Sequence, residues 1–428
     1  MKKLLAVLFC FCMVSVLFAN GQQEQINGQE KIKLEIFQFK VEIIEQLDAL
    51  IKDFELEHPE IDVEIETVGG GADYSAALRL KITSGEEPGI FNFEGPSRMV
   101  EWMDYLEPLN DQPWVARCFP GTLDMGSMSG NVYGQPYGQE GYGLIYNKKI
   151  LAKAGYSEYD LAEIDTLDEF RALFADLESQ KDDLGIMEVL SFSIGGTAWW
   201  TASQHNFNSF LAHQDNPQQY AEDLKYGKAN FSDNKLIDSY LDMLDLFFEY
   251  SYKNLVVVEY NDQVSNFAMG KTAFVHQGNW TLGMITEIDP DMEMAFLPLP
   301  IGDCQSVLTG VPSYWAVNKN KSPEEIAAAK TFLDYMASSE RGQKFIVEEA
   351  KFIPAYKVEL EPSDPLAQSI LDFSSRGKTV PWMWMHMPVG FCNCPTSPVL
   401  EAIQNYYMDK DREAFCSSLD QAYVDLNN

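Results

Sequence analysis

After a polar stretch the chain settles into alternation. Ile32, Leu34 and Ile36 interleave with Lys33 and Glu35, the period-two pattern of a strand with one buried face. Apolar positions then switch to helical spacing at Ile43/Ile44, Leu47, Leu50/Ile51 and Phe54, and Glu57-His58-Pro59 ends that run. Alternation returns at Ile61, Val63 and Ile65 against Asp62, Glu64 and Glu66. Gly69-Gly70-Gly71, a helical pattern over about 74–83, a break at Ser84-Gly85-Glu86-Glu87-Pro88 and a short apolar run at 90–93 follow. This β-α-β-α-β order predicts a mostly parallel sheet covered by helices, with ligands bound beyond the carboxyl ends of the strands.

Two capping boxes mark later helices. Thr166-Leu167-Asp168-Glu169 opens one running to about 177, and Ser322-Pro323-Glu324-Glu325 opens another to about 337. Helical patterns also cover 236–250 and 262–269. There is no internal repeat and no tether rich in Pro, Gly or Ser, so two lobes would be joined by tight crossings within the fold.

The N-terminus has its own pattern. An apolar run of 16 residues (4–19) follows Lys2-Lys3 and ends in Leu17-Phe18-Ala19, short of the about 20 residues that a membrane span needs. It reads as a secretory signal peptide, 1–19, followed by a polar linker, 20–30, with an uncleaved anchor as the alternative. Val7-Leu8-Phe9 before Cys10 are too bulky for a lipidation box. Whether the exported protein floats free or stays tethered is left open.

Length and charge narrow the partners. The 428 residues suffice for two or three domains. With 31 Lys+Arg against 65 Asp+Glu, the net charge of −34 repels polyphosphates and anionic lipid, so no nucleic-acid partner is expected. The 13% aromatic content calls for packing, or for presentation to a ligand. The glycine triplet lacks the Gly-Lys-Ser/Thr of a phosphate loop, and Asp73 beside it would repel a phosphate, so it reads as a flexible turn.

Metal and nucleophile chemistry find little support. Once the signal leaves, Cys118, Cys304, Cys392, Cys394 and Cys416 remain, an odd and sparse set that cannot pair completely. Disulfide pairing among them is open, and Cys392-Asn393-Cys394 has only His386 nearby as a zinc ligand. His205 and His213 stand two helical turns apart and are expected on a helix surface. Gly-x-Ser-x-Gly is absent, and Asp409-Lys410-Asp411-Arg412-Glu413 lacks a calcium loop's glycine. No metal and no cofactor is expected.

Five segments, in order, resemble the sugar-binding branch of the extracellular solute-binding proteins of ABC importers, which includes the maltose-binding proteins. They are Phe54 to Glu64 with its F-x-x-x-x-P-x-I-x-V spacing; Ile82 to Phe91, where the family's Pro-Asp is Pro88-Gly89; Gly134-Gln135-Pro136 leading to Gly143-Leu144-Ile145-Tyr146-Asn147-Lys148-Lys149; Phe267 to Phe274 leading to Gly278-Asn279-Trp280; and 328–345. The resemblance covers about 31–428. It implies an α/β, two-lobed periplasmic-binding-protein fold with interleaved lobes and a ligand cleft between them. Lobe one would be 31–140 plus 286–345, and lobe two 141–285 plus 346–428. The implied function is capture of a carbohydrate, a di- or oligosaccharide, for hand-over to a membrane ABC permease. The protein would be a monomer without enzymatic activity, in the periplasm or on the outer face of the cytoplasmic membrane. The alternatives are the same fold binding a polyamine or other polar solute, and an exported glycan-active enzyme using two of its acids.

A sugar presents hydroxyls and a flat C–H face, so its site needs stacking rings and carboxylates or amides. By resemblance, Trp280 is a stacking residue and Glu140 a hydroxyl-binding acid. Gly310, Tyr314 and Trp315 lie at a Gly-containing turn from which the family contacts ligand. Trp382 and Trp384 share one face if extended. Glu94 ends the strand at 90–93 and Phe39, with Lys40, follows the first strand. Trp199 and Trp200 are adjacent, so in a strand at least one would pack inward.

Overall fold

The computed structural model describes residues 25–26, 29–302 and 304–427. The expected signal peptide and the first residues of the linker lie outside them, and Gln25–Ile26 pairs antiparallel with Gln29–Glu30. The N-terminal alternation forms β1 (Ile32–Gln38), β2 (Ile61–Thr67) and β3 (Ile90–Phe93), with β1 pairing in parallel to both others. Helix Ile44–Glu57 connects the first two and buries Leu47, Leu50, Ile51 and Phe54 beneath them. Helix Tyr74–Ser84 connects the next pair, its first turn capped by the Asp73 carboxylate, which accepts from the Ala76 N–H at 2.9 Å.

Downstream come β4 (Gln135–Pro136), β5 (Glu140–Asn147), β6 (Glu188–Ser191), β7 (Thr272–Gly278), β8 (Met294–Leu297), β9 (Val307–Gly310), β10 (Tyr314–Val317) and β11 (Thr379–Pro381). The first sheet runs β2-β1-β3-β10-β4. The second runs β6-β7-β5-β9-β11, with β8 also on β5. Helices start at both capping boxes, as Leu167–Ser179 and Pro323–Ser338, and the other two helical patterns form Leu236–Glu249 and Tyr260–Ala268.

Two expectations need correction. The sheets are mixed, not mostly parallel: β10 is antiparallel to β3 and β4, and β5 is antiparallel to β7, β8 and β9. A strand that arrives from the other sheet does not have its direction fixed by a βαβ crossover. The lobe assignment also differs at its edges. The resemblance implies that segment 286–310 belongs to the first lobe, yet β8 and β9 hydrogen-bond to β5, so the chain returns to the first sheet only between Gly310 and Tyr314. Conversely, Phe345, Ile346, Val347, Phe352, Ala355 and Tyr356, expected at or beyond the boundary with the second lobe, pack into the core under the first sheet. Apolar strands look alike whichever sheet they join; only their hydrogen-bond partners decide.

The crossings Pro136 to Glu140 and Gly310 to Tyr314 lie side by side. Tyr137 N–H donates to the Ser313 carbonyl at 3.0 Å, and Glu140 pairs with Gly310 in the ladder. Among the described residues no helix is long and apolar enough to cross a membrane.

Candidate functional site

The first wall of the cleft is built at the carboxyl ends of the parallel strands. Phe39 and Lys40 follow β1, Gly69 to Ser75 follow β2, and Glu94 follows β3. The glycines are not a flexible turn. A Cβ on Gly69 would fall 1.8 Å from the Phe39 carbonyl oxygen. Gly71 has φ +99° and a Cβ there would fall 2.4 Å from the Thr197 oxygen, across the cleft. Two close backbone approaches and a left-handed conformation admit only glycine.

The opposite wall is aromatic. A turn begun at Gly196 leads through Trp199 and Trp200 into a π-helix, Thr201–Asn206, then the helix Phe207–Ala212. Because this segment is helical and not extended, Trp199 and Trp200 both line the cleft, as do Gln204 and His205. His205, expected on a helix surface, is 7% exposed and stacked on Tyr142 at 4.3 Å between ring centroids. Trp280, in the 3-10 turn after β7, lies 5.0 Å from His205 and 5.8 Å from Trp200. Its indole N–H donates to Gln277 at 3.0 Å. Trp382 and Trp384 are 6.5 Å apart, both line the cleft, and their buried Nε1 atoms have no hydrogen-bond partner among the described residues.

The space between the walls is about 880 Å³, counting the part open to solvent. Lys40 and Glu140 form an ion pair at its base, their side chains only 5% and 3% exposed. Burial raises the Glu140 carboxyl above its ordinary value, with Lys40 opposing. Burial likewise holds the His205 imidazole well below its ordinary value, so it is a neutral ring. Glu94 is half-buried, and burial pushes it up to about 7 against the pull of Arg98. The walls also touch directly: Tyr260 OH donates to Glu42 at 2.7 Å, Trp199 Nε1 to the Gly71 carbonyl at 2.9 Å, and Ser97 Oγ to the Met387 carbonyl at 2.8 Å.

Of the residues singled out from sequence, Phe39, Glu94, Glu140, Trp199, Trp200, Trp280, Trp382 and Trp384 meet in this cleft. Gly310, Tyr314 and Trp315 do not line it. Gly310 lies under the Trp382 ring, where a Cβ would fall 2.8 Å from Cγ. Tyr314 stacks on Phe93, and Trp315 stacks on Tyr137 at 4.3 Å with 1% exposure. The strand β10 is central and buried on both faces, so its aromatics fill the core. Sequence reasoning missed Glu42, Tyr74, Gln204, His205, Tyr260 and Asn393. A π-helix has no sequence signature, and Glu42 and Tyr260 gain meaning only from each other.

Rings for a flat C–H face, amides and carboxylates for hydroxyls, and a cleft whose walls touch make a site for a polar solute with an apolar side. Of the two cleft acids singled out from sequence, Glu140 is tied to Lys40, and Glu94 has no hydrogen bond or ion pair among the described residues. Cys118, Cys392, Cys394 and Cys416 are free thiols, and no cluster of His, Cys, Asp and Glu suited to a metal occurs among the described residues.

The fold recurs in solved structures. RafE in complex with raffinose superposes with a TM-score of 0.77 over 93% of this chain and 100% of that one, at 20% identity. A chitin oligosaccharide binding protein gives 0.75 over 93% and 99%, at 18% identity. In sequence the chain is 23% identical to the multiple sugar-binding protein of Streptococcus mutans over 417 residues, 95% of this chain and 94% of that protein. It is 26% identical to the melibiose/raffinose/stachyose-binding protein MelE of Bacillus subtilis, over 66% of this chain and 65% of MelE. The family model for bacterial extracellular solute-binding proteins matches residues 49–369, three quarters of the chain, and the protein belongs to that family.

Proposed function

We propose that the protein is the extracytoplasmic receptor of an ABC importer and captures a carbohydrate, a di- or oligosaccharide, in the cleft between its two sheets. The carrying observation is the wall formed by Trp200, His205, Trp280, Trp382 and Trp384 facing Glu94 and the Lys40–Glu140 pair across about 880 Å³. Rings stack on the C–H faces of sugar residues, while the polar groups take hydroxyls. Closure of the lobes excludes water, so each of those hydrogen bonds strengthens, and micromolar affinity needs only about −8 kcal/mol. The names of the relatives, which bind multiple sugars and melibiose, raffinose or stachyose, support the same class of ligand. The receptor would deliver its cargo to a membrane permease and perform no chemistry on it.

The test is a titration of the protein with a broad panel of mono-, di- and oligosaccharides, followed by tryptophan fluorescence and melting temperature. A saturable change with at least one sugar is expected, and Trp280→Ala should weaken it at least about tenfold through lost ring contact. No response to any sugar at millimolar concentration would remove the carbohydrate assignment.

A further inference from the structure

The charges facing the cleft are lopsided. The carboxylates of Glu42, Asp73, Glu94 and Glu140 line it against the ammonium of Lys40, and His205 is neutral. Three of these acids are engaged: Glu140 with Lys40, Glu42 with the Tyr260 hydroxyl, and Asp73 with the Ala76 N–H. Glu94 has neither a hydrogen bond nor an ion pair among the described residues.

Arg98 is the cation that acts on Glu94, and its guanidinium hydrogen-bonds elsewhere. Arg98, in helix Gly95–Trp102, directs its guanidinium to Glu101 at 2.8 Å and to the Asn393 carbonyl at 3.4 Å. Asp73 faces Glu94 from the loop after β2, Tyr74 from the next helix, and the Cys392 thiol from the segment after Trp384. One is an anion and two are neutral. Burial raises the Glu94 carboxyl against the pull of Arg98, and Asp73 adds to the rise.

Apolar surface lies alongside. Gly95 presses on Met385, where a Cβ would fall 2.7 Å from the Met385 Cβ, so the backbone beside Glu94 packs on the turn beside Trp384, and Glu94, Trp382 and Trp384 all line the cleft. A carboxylate without a hydrogen-bond partner, in a cleft also lined by indole faces, suits a cation carried on a body with an apolar side.

We infer that the cleft takes an amino sugar, a saccharide whose free ammonium pairs with Glu94 while its pyranose face lies on Trp382 and Trp384. This rests on the carbohydrate reading above. A neutral sugar leaves the Glu94 charge to be dried by lobe closure with only a hydroxyl beside it, whereas an ammonium compensates it with a charge-assisted hydrogen bond. An acidic sugar meets like charge.

Calorimetric titration with the β-1,4-linked glucosamine disaccharide, its N,N′-diacetyl form and cellobiose tests the assignment. At about pH 7 the amine-bearing disaccharide is expected to bind at least about tenfold tighter than either neutral one. At about pH 5.5, where Glu94 holds a proton, the preference shrinks toward unity. Glu94→Gln abolishes it at both pH values, and Glu94→Asp, which keeps the charge, retains most of it. Equal or tighter binding of the neutral disaccharides, or a preference unchanged in Glu94→Gln, overturns the amino-sugar assignment and leaves the carbohydrate reading standing. Binding of none of the three overturns the amino-sugar assignment, and the broader sugar panel then decides the other. Binding of spermidine with no sugar in either set overturns both.

Discussion

Lys40 and Glu140 come from opposite sides of a crossing between the sheets, and almost no water reaches either. Removing both charges from water is costly, and removing one partner leaves the other bare, at about 3–5 kcal/mol. Lys40→Met should therefore lower stability by about 3 kcal/mol in urea denaturation, and Lys40→Met combined with Glu140→Gln should recover most of the loss. Glu94 makes a different prediction. Its carboxyl is raised from 4.5 to about 7 in the folded protein, so between those values the folded state holds a proton that the unfolded chain has released. Stability contributed by the protonated form is complete below about pH 4.5, falls as pH rises to about 7, and is level above. The melting temperature should decline across that window less steeply in Glu94→Gln than in the parent. Both acids were legible in the sequence as cleft candidates, Glu94 from its place at a strand end. Their opposite electrostatic situations were not, because Lys40 and Glu140 stand a hundred residues apart.

At the scale of elements, the glycine triplet is the clearest case of sequence without context. Three consecutive glycines permit flexibility; here they are held by the Phe39 carbonyl on one side and Thr197 on the other. Gly71→Ala adds about 1–2 kcal/mol of left-handed strain and a collision with the opposite wall. The expected result is a protein that still folds but closes incompletely, seen as a larger ligand-bound radius of gyration in small-angle scattering and a weaker sugar affinity. The N-terminal β-α-β-α-β unit could be read from Ile32 to Phe93 because each element carries its own period and its own stops. β8, β9 and β10 could not be sorted between sheets, since a continuous apolar run fits any buried strand. Tyr314 and Trp315 are cleft residues only by resemblance, through the Gly-containing turn before them; in the structure both fill the core. Spacing alone puts His205 on a helix surface, because its inward turn depends on the π-helix Thr201–Asn206.

At the scale of the whole molecule, two lobes are joined by strand crossings at the base of the cleft and by polar contacts between its walls. The Tyr260–Glu42 and Trp199–Gly71 hydrogen bonds tie the walls together independently of the base of the cleft. Tyr260→Phe removes one such bond, worth about 0.5–1.5 kcal/mol, and should shift the population toward the open form by about 2- to 10-fold. Scattering on the protein without sugar would register the change as expansion, and stopped-flow would register faster release with it. The interleaving of the sheets also sets a schedule. Phe93 finds its strand partner only at Tyr314, and Val307 only at Thr379, so neither sheet is complete until the last third of the chain has been made. Pairings so distant in sequence form slowly. While most of the chain is being made both sheets lack strands, so neither lobe can close its core before the last third arrives. A chain whose lobes are unfinished is easier to pass through a narrow channel than a finished one.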